Sequence, residues 1–112
     1  MATGRRESEE PLEYEIEVFT EANDNIIEIT KWYDLQSDSL GARFLAHLRE
    51  AINKLRTHPL AFGISFKDMR KIQLDTFPYL IFYKVVGNQV NIYGIVHAKR
   101  KPSYYKRKFG KQ

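Results

Sequence analysis

An apolar stripe with helical spacing in the middle of the chain restricts the possible folds more than any other feature. Leu40, Phe44, Leu48, Ile52 and Leu55 recur every three or four residues, and the polar side chains Arg43, His47, Arg49, Glu50 and Lys54 stand at positions between them. This spacing places the apolar side chains on one face of an α-helix. A helix with one apolar face must bury it, so the rest of the chain has to supply a second layer.

A second amphipathic stretch precedes this helix. Its apolar residues follow at spacings of four, three and four: Ala22, Ile26, Ile29 and Tyr33. Thr20 is the predicted N-cap of this first helix. The second helix is predicted to begin near Ser37 or Ser39 and to end at His58-Pro59, because the residue before proline disfavours the α conformation. The two stretches therefore predict a helical hairpin.

The segments around the hairpin have the pattern of β-strands. Apolar residues alternate with glutamates at 12–19, which predicts a strand with one solvated face, at a sheet edge or open on one side. Strands are also predicted at 66–74, 79–86 and 89–97, the last two joined by the tight turn Val86-Gly87-Asn88-Gln89. The predicted fold is α+β, in the order β-α-α-β-β-β, with the hairpin on one face of a mainly antiparallel sheet.

The length and composition indicate one domain. The chain has 112 residues, of which 43% are hydrophobic, enough for a single core. We predict the domain at 12–109, a flexible tail at 110–112, and an arm at 1–11 that is disordered or of artificial origin. There is no cysteine, which excludes a disulfide framework and a thiolate metal site.

No targeting segment is evident. Arg5 and Arg6 are followed by acidic residues where a signal peptide needs an apolar stretch. The longest apolar run, at 77–83, is far shorter than the roughly 20 residues that span a bilayer. We expect a cytoplasmic protein that does not enter membranes.

The charge distribution is strongly asymmetric. The last 37 residues carry eight Lys or Arg and no Asp or Glu, whereas the first 75 carry ten Lys or Arg and all fourteen acidic residues. A segment of one charge sign attracts anionic partners over roughly a Debye length, about 8 Å at physiological salt. The alternative interpretation is a solvated basic tail that only maintains solubility.

Two groups of residues in this basic end could take part in catalysis or in binding. His97 ends the last predicted strand beside Lys99-Arg100-Lys101, and its imidazole could exchange a proton with a ribose hydroxyl or simply bind a loop carbonyl and stabilise the turn. The alternation predicts that Val90, Ile92, Gly94 and Val96 face the helices, and that Asn91, Tyr93, Ile95 and His97 face the open side of the sheet. The three histidines have no repeated spacing, so no metal site and no cofactor is predicted.

The second group mixes rings and cations. Aromatic residues at 104, 105 and 109 alternate with Lys101, Lys106, Arg107 and Lys108. Cations neutralise phosphates and rings stack on bases, so the mixture suits single-stranded nucleic acid. The alternative is that one or two of the rings pack back on the sheet and anchor a short C-terminal segment.

The order of these segments resembles that of one toxin superfamily. The matching segments are the stripe Ala22, Ile26, Ile29 and Tyr33, the runs Ala42-Arg43-Phe44-Leu45, Ala51-Ile52 and His58-Pro59, then Met69-Arg70-Lys71 and Phe77-Pro78-Tyr79-Leu80-Ile81-Phe82-Tyr83, and finally Ile92-Tyr93-Gly94-Ile95-Val96-His97 with Arg100-Lys101-Pro102-Ser103-Tyr104-Tyr105-Lys106-Arg107. Together they resemble the RelE/ParE superfamily over about 12–109. The resemblance implies the toxin half of a bacterial type II toxin–antitoxin pair, held inactive by a cognate antitoxin.

The superfamily contains two mechanisms, and the resemblance implies different site residues for each. RelE-like members cut mRNA in the ribosome without a metal; for that role the candidates are Lys67, Arg70, His97, Arg100 and Tyr105. ParE-like members poison DNA gyrase and need no nuclease site. The residues expected to bind the target or nucleic acid are Lys99, Arg100, Lys101, Tyr104, Tyr105, Lys106, Arg107 and Lys108.

The ParE-like mechanism is favoured by two features. The first is the Phe-Pro-Tyr strand, and the second is the His-x-x-Arg-x-Pro ending at Pro102. In addition, Lys67 and Lys71 are few cations for a ribonuclease. The alternatives are a RelE-like endonuclease and a non-toxic nucleic-acid or protein-binding module of the same fold. We expect the antitoxin to lie in an open groove between the helical hairpin and the sheet.

Overall fold

In the part of the chain that the structure describes, five strands form one sheet with helices on both faces. The computed structural model describes residues 13–111, so the predicted arm at 1–11 lies outside the described residues, as do Leu12 and Gln112. In chain order the elements are β1 (Glu15–Val18), α1 (Thr20–Gln36), α2 (Leu40–Thr57), a 3₁₀ turn (Pro59–Ala61), β2 (Ile64–Phe66), β3 (Met69–Gln73), β4 (Tyr79–Val86), β5 (Gln89–His97) and α3 (Pro102–Phe109). Within this part of the chain, no helix is both long and apolar enough to cross a membrane.

The sheet confirms the α+β class and corrects the strand count. The strand order is β1-β5-β4-β3-β2, with β1 parallel to β5 at one edge and every other pair antiparallel. The first strand is therefore an edge strand, as its solvated face predicts. The strand predicted at 66–74 corresponds to β3, and an additional strand, β2, ends at Phe66 because the chain reverses at Lys67, whose φ is +52°. The order is β-α-α-β-β-β-β, followed by a helix that was not expected from the sequence.

The helical hairpin is present with small differences at its helix ends. Thr20 is the first residue of α1 and not its N-cap, since Phe19 occupies the cap position without a side-chain hydrogen bond. Ser39 precedes α2 in a left-handed conformation (φ +71°). The two helices approach closely where the backbone N–H of Gly41 donates to Asp34 Oδ1 at 3.1 Å. A Cβ at Gly41 would collide with that carboxylate and would lie only 2.9 Å from the backbone carbonyl oxygen of Thr30, so the approach requires glycine.

One face of the sheet packs against α1 and α2, forming what we call the hairpin core. Leu48 and Leu55 are buried there in one cluster with Ile81, Tyr83 and Ile92, which confirms the predicted contact between helix and sheet. Ile52 is only half-buried at the margin of this cluster. The buried residues of the hairpin core are Ala22, Tyr33, Phe44, Leu48, Ala51, Leu55, Ile72, Leu74, Phe77, Ile81, Tyr83, Val90, Ile92 and Ile95.

A β-bulge in β5 changes which residues face the helices. Phe82 is opposite Gly94 and Tyr83 is opposite Ile92, so Tyr93 is an extra residue without a partner across the strands. Each later residue of β5 is therefore turned to the other face. The predicted orientations of Val90 and Ile92 are right, but those of four residues are wrong. Gly94 and Val96 face away from the hairpin, and Ile95 and His97 face towards it.

The second face of the sheet is covered by α3, forming what we call the C-terminal core. Its buried residues are Met69, Leu80, Phe82, Val96, Tyr105 and Phe109. A Cβ on Gly94 would collide with the ring of Phe109, so glycine at this place lets α3 lie close to the sheet. The face predicted to be partly open is thus covered by a helix over β3, β4 and β5. The alternative in which C-terminal rings anchor the segment on the sheet holds for Tyr105 and Phe109.

Candidate functional site

A concave surface lies at the carboxyl end of β5, between α1 and α3. It consists of two adjoining cavities that share Tyr79 and His97, and we call it the strand-end pocket. The larger cavity, of about 490 Å³, is mostly aromatic. Its remaining lining residues are Trp32, Tyr33 and Pro78, and those of the smaller cavity are Asn25, Glu28, Ile29, Ile95, Val96, Arg100 and Tyr104.

His97 is oriented by the strand and by the turn that follows it. It lies opposite Tyr79 across β4 and β5, and the two rings meet edge to face with centroids 5.2 Å apart. Its Nδ1 accepts a hydrogen bond of 3.1 Å from the backbone N–H of Lys99. In the neutral ring this leaves the proton on Nε2. The interpretation that His97 stabilises the turn is therefore supported, although its partner is a backbone N–H and not a carbonyl. Its Nε2 remains able to donate to a ligand.

Arg100 is the cation of the pocket. Its guanidinium lies over the ring of Tyr104, with 4.3 Å from Cζ to the ring centroid. Its backbone N–H donates to the carbonyl of His97 at 3.0 Å, which closes the turn between β5 and α3. Stacking on a ring restrains a guanidinium and leaves its N–H groups directed outward. Arg100 is therefore an exposed and partly preorganised donor for an anion.

The phenol of Tyr79 is a stable donor at the base of the pocket. Burial, with a smaller contribution from neighbouring Tyr33, raises the pKa of Tyr79 to about 12. The hydroxyl therefore stays protonated far above neutral pH. The ring also contacts Tyr33 and Phe44 edge to face, at centroid distances of 6.2 and 5.7 Å. Tyr79 thus joins the pocket to the hairpin core.

Two residues of the pocket were missed from the sequence. Asn25 Oδ1 accepts a hydrogen bond of 3.0 Å from the backbone N–H of Ile95, just after the bulge, and so ties α1 to β5. The feature of the sequence that could have pointed to Asn25 is a polar residue directly before Ile26 of the apolar stripe. Trp32 is the only tryptophan of the chain and is 53% exposed. The feature of the sequence that could have pointed to Trp32 is a large aromatic ring directly before Tyr33 of the apolar stripe.

Two of the ribonuclease candidates lie on the other face of the sheet. Tyr105 is 6% exposed and packs in the C-terminal core, with its ring centroid 4.6 Å from that of Phe82. Lys71 Nζ lies 5.7 Å from the centroid of the Tyr105 ring. Lys67 Nζ donates to the carbonyl of Gly110 at 2.9 Å and so holds the end of α3. Both candidates, Lys67 and Tyr105, serve the attachment of α3.

Arg70 faces the hairpin side but lies away from His97. Its guanidinium donates to the carbonyls of Phe62 at 2.6 Å and Leu60 at 3.4 Å. Its partner across the sheet is Tyr83, four residues along β4 from the partner of His97, which is about 13 Å at 3.3 Å per residue. Arg70 therefore anchors the segment before β2 and does not join the strand-end pocket.

Tyr83 anchors the same segment beside Arg70. Its hydroxyl is buried and donates to the carbonyl of Pro59 at 2.6 Å. Burial raises the pKa of Tyr83 to about 12, although the charge of Arg70 acts in the opposite direction. Together the two side chains satisfy backbone carbonyls that follow α2.

The remaining predicted binding residues form a basic surface on the turn before α3 and on its outer face. The exposed members are Lys99, Arg100, Lys101, Lys106 and Arg107. Lys108 forms an ion pair with Glu21 of α1, and this carboxylate raises the pKa of Lys108. Within residues 13–111, Lys108 is the only member of the basic surface with an ion pair. The other cations remain available to a partner.

An apolar groove lies between α2 and β1. Ile16 and Val18 of the edge strand face Leu48 and Ile52 of the helix. Three polar residues border it, namely Arg49, Asn53 and Arg56. The groove has the position predicted for an antitoxin, between the hairpin and the sheet.

The other two histidines have local partners. The ring of His47 packs against Phe77 at 5.4 Å and approaches Glu50 at 3.9 Å, and His58 Nδ1 lies 2.8 Å from Thr57 Oγ1. In the described part of the chain, no group of three His, Cys, Asp or Glu side chains could hold a metal ion.

One solved structure shares the architecture. The structure is similar to one of the chromosomal ParDE toxin–antitoxin system from P. aeruginosa, with 14% identity, a TM-score of 0.69, and coverage of 77% of this chain and 97% of that chain. The isolated E. coli RelE toxin matches with 18% identity and a TM-score of 0.45, over 88% of this chain and 99% of the other. No curated protein matches the sequence.

The sequence comparison identifies the family directly. The family described as "ParE toxin of type II toxin-antitoxin system, parDE" matches residues 16–102, from β1 to the start of α3. The resemblance to the RelE/ParE superfamily, and to its ParE-like members, is thereby confirmed. Because the match spans more than half of the chain, the protein belongs to the ParE toxin family of type II toxin–antitoxin systems.

Proposed function

We propose that this toxin arrests growth by binding DNA gyrase, and that a cognate antitoxin neutralises it. One observation carries the choice of a binding mechanism over RNA cleavage. His97 and Tyr105, two of the predicted ribonuclease residues, lie on opposite faces of the sheet. A single bound phosphate cannot contact both.

A metal-free ribonuclease makes specific demands on its side chains. It needs a base for the 2′-hydroxyl, an acid for the leaving oxygen and cations around one phosphate. Tyr105 is buried between Phe66 and Phe82, Lys67 is bound to a carbonyl at the end of α3, and Arg70 is bound to carbonyls before β2. Each of these candidates already has a partner within the fold.

A toxin that only binds its target needs exposed side chains with matching charge. Lys99, Lys101, Lys106 and Arg107 meet this requirement, and the chain has no acidic residue after Asp75. A surface of one charge sign increases the rate of encounter with an anionic partner. Gyrase with its DNA is such a partner.

The groove between α2 and β1 is the proposed antitoxin site. An amphipathic partner helix would place apolar side chains at i, i+3 or i+4, and i+7 against Ile16, Val18 and Ile52. Arg49 and Arg56 beside the groove favour an acidic flank on that helix. Acidic residues of the antitoxin should also meet the basic surface, so the association rate should fall as salt rises. An association rate that is insensitive to salt would remove this electrostatic part of the proposal.

The proposal is tested by expression in bacteria and by gyrase assays with the purified toxin. Growth arrest should be accompanied by DNA damage and relieved by the antitoxin. His97→Ala and Tyr105→Phe should retain most toxicity, whereas Arg100→Ala should weaken it. Arg43→Ala, an exposed arginine on α2, is the matched control and should have no effect.

The basic surface of α3 needs a substitution that preserves the fold. Removal of residues 106–112 should weaken toxicity, but it also removes Phe109 from the C-terminal core. Lys106→Ala combined with Arg107→Ala is therefore the cleaner test, since both side chains are exposed. Translation arrest with cut mRNA, abolished by His97→Ala or Tyr105→Phe, would instead establish a ribonuclease. Harmless expression at high level would indicate a binding module without toxicity.

One observation favours the ribonuclease alternative. His97, Arg100 and Tyr104 all line the strand-end pocket, which brings an imidazole, a guanidinium and a phenol to one cavity. In this alternative Tyr104 takes the role that the resemblance to RelE-like toxins implied for Tyr105. Loss of a general acid or base typically slows catalysis by 10²–10⁴-fold. Tyr104→Phe should then abolish RNA cleavage on ribosomes, whereas gyrase binding should tolerate it.

A further inference from the structure

The strand-end pocket has an unusual wall. Trp32 is 53% exposed at its mouth, and Tyr79, His97 and Pro78 line the same cavity. Large rings in folded proteins are usually well buried, and an aromatic cavity with a few polar groups is typical of a ligand site. The shape and chemistry of the larger cavity suit a flat ring.

The polar end of the pocket defines what such a ring must carry. Arg100 is exposed, stacked on Tyr104, and flanked by Lys99 and Lys101, so this end favours an anion such as phosphate. Glu28 lines the same cavity. Its carboxylate can accept a hydrogen bond from the amino group of a base such as cytosine, a donor that an acidic side chain does not have. A planar ring with both an N–H edge and a phosphate satisfies all of these groups.

We propose that the strand-end pocket binds one unstacked nucleobase of a single-stranded nucleic acid. The base lies between Trp32 and Tyr79, its amino edge faces Glu28, and its phosphate binds Arg100. Base–aromatic stacking and a cationic groove are the usual components of such sites. The inference deepens the proposed function, because it makes the nucleic acid, and not only the enzyme, a contact of the toxin. Its test needs no gyrase, so either proposal can fail while the other stands.

The single tryptophan gives a direct assay. The intact protein is titrated with an oligo-dC of about eight nucleotides, within the usual site size, while tryptophan fluorescence and the anisotropy of a 5′-labelled strand are followed. Stacking on Trp32 should quench its fluorescence to saturation. An oligomer of the same length with abasic sugars should bind about 5- to 100-fold more weakly, the expected loss for one stacked base, and should not quench. Equal affinity for both oligomers, or binding without quenching, would overturn the proposal.

Two arginines of the same region give a matched pair. Arg100→Gln and Arg107→Gln remove the same charge, but only Arg100 lines the pocket. If the pocket binds the base, Arg100→Gln should lower affinity for oligo-dC more than Arg107→Gln and reduce the quenching. If the two variants are equally weakened, the interaction is only electrostatic and the proposal is wrong. Circular dichroism should show that both variants stay folded, since both side chains are exposed.

Two further experiments with the same assay identify the ligand. Glu28→Gln should reduce the preference for oligo-dC over an abasic strand while leaving the salt dependence unchanged. Oligo-rC is compared with oligo-dC; similar affinities, or a preference for DNA, agree with a DNA contact. A preference for RNA above tenfold would support the pocket but favour the ribonuclease alternative. Stronger quenching by an acidic peptide than by either oligomer would show that the pocket is a protein-binding site instead.

Discussion

Substitution of Arg70 by methionine should destabilise the fold without removing a functional group of the toxin. The guanidinium holds the segment between α2 and β2 through the carbonyls of Phe62 and Leu60. Methionine retains an unbranched apolar stem of similar course and removes only the charged head. The change therefore isolates the two hydrogen bonds.

The expected cost follows from the geometry. The contact with Phe62 is short, 2.6 Å, and charge-assisted, whereas the contact with Leu60 is long, 3.4 Å. A hydrogen bond to a charged group contributes about 1.5–3 kcal/mol. Arg70 is only half-buried, so water replaces part of the lost interaction, and the lower end of this range applies. We expect the free energy of unfolding to fall by about 1.5–2 kcal/mol.

Urea unfolding followed by circular dichroism measures this cost. With a slope of about 1–3 kcal/mol per molar urea, the midpoint should fall by roughly 1 M. Arg43→Met, on the exposed side of α2, should change stability by less than about 0.5 kcal/mol. If Arg70→Met unfolds at the same urea concentration as the natural chain but loses all toxicity, Arg70 acts on the target and the structural role is refuted.

Three other perturbations test the packing and the tyrosines. Phe109→Ala should cost about 3–5 kcal/mol and remove hydrogen-exchange protection from α3, because its ring is buried against Gly94; unchanged protection would contradict this contact. Ile52→Ala should cost about 2 kcal/mol in urea unfolding, the low end for core aliphatics, since Ile52 is only half-buried; a cost near 5 kcal/mol would place it deep in the core. The raised pKa of about 12 for Tyr79 and Tyr83 means that the folded state favours the neutral phenols, so stability should be full below pH 10 and fall from pH 10 to 12. Replacing both with phenylalanine should flatten this alkaline decline, and an unchanged decline would assign it to other groups.

The parts of the fold that could be predicted are those with a long, regular pattern. The stripe from Leu40 to Leu55 fixed the second helix, and the β4–β5 hairpin follows from two apolar runs around Gly87, whose φ is +61°. The chain reversal between β2 and β3 has no such pattern in the sequence. Its turn uses Lys67 at positive φ, a residue type that seldom adopts this conformation. A rule based on Gly and Asn could not find it.

The candidate site was predicted only in part, for reasons that lie in two short segments. His97 and Arg100 were singled out for their chemistry, but the face on which His97 lies depends on the bulge at Tyr93. Gly94 inside a strand pattern was the available signal for that bulge. Helix α3 was missed because it has only 8 residues, although Pro102 at its first turn and the i, i+4 pair Tyr105 and Phe109 are helix signals.

The bulge at Tyr93 has a consequence for comparing this toxin with its relatives. Within β5, even-numbered residues face the helical hairpin before Tyr93, whereas odd-numbered residues face it after Tyr93. A relative with one residue fewer at this place would present the counterpart of His97 to α3 and leave the strand-end pocket without its imidazole. Alignments that place a gap anywhere within β5 would still match the two histidines by position. The number of residues between Ile92 and His97 is therefore a better marker of a shared pocket than the identity of the last residue.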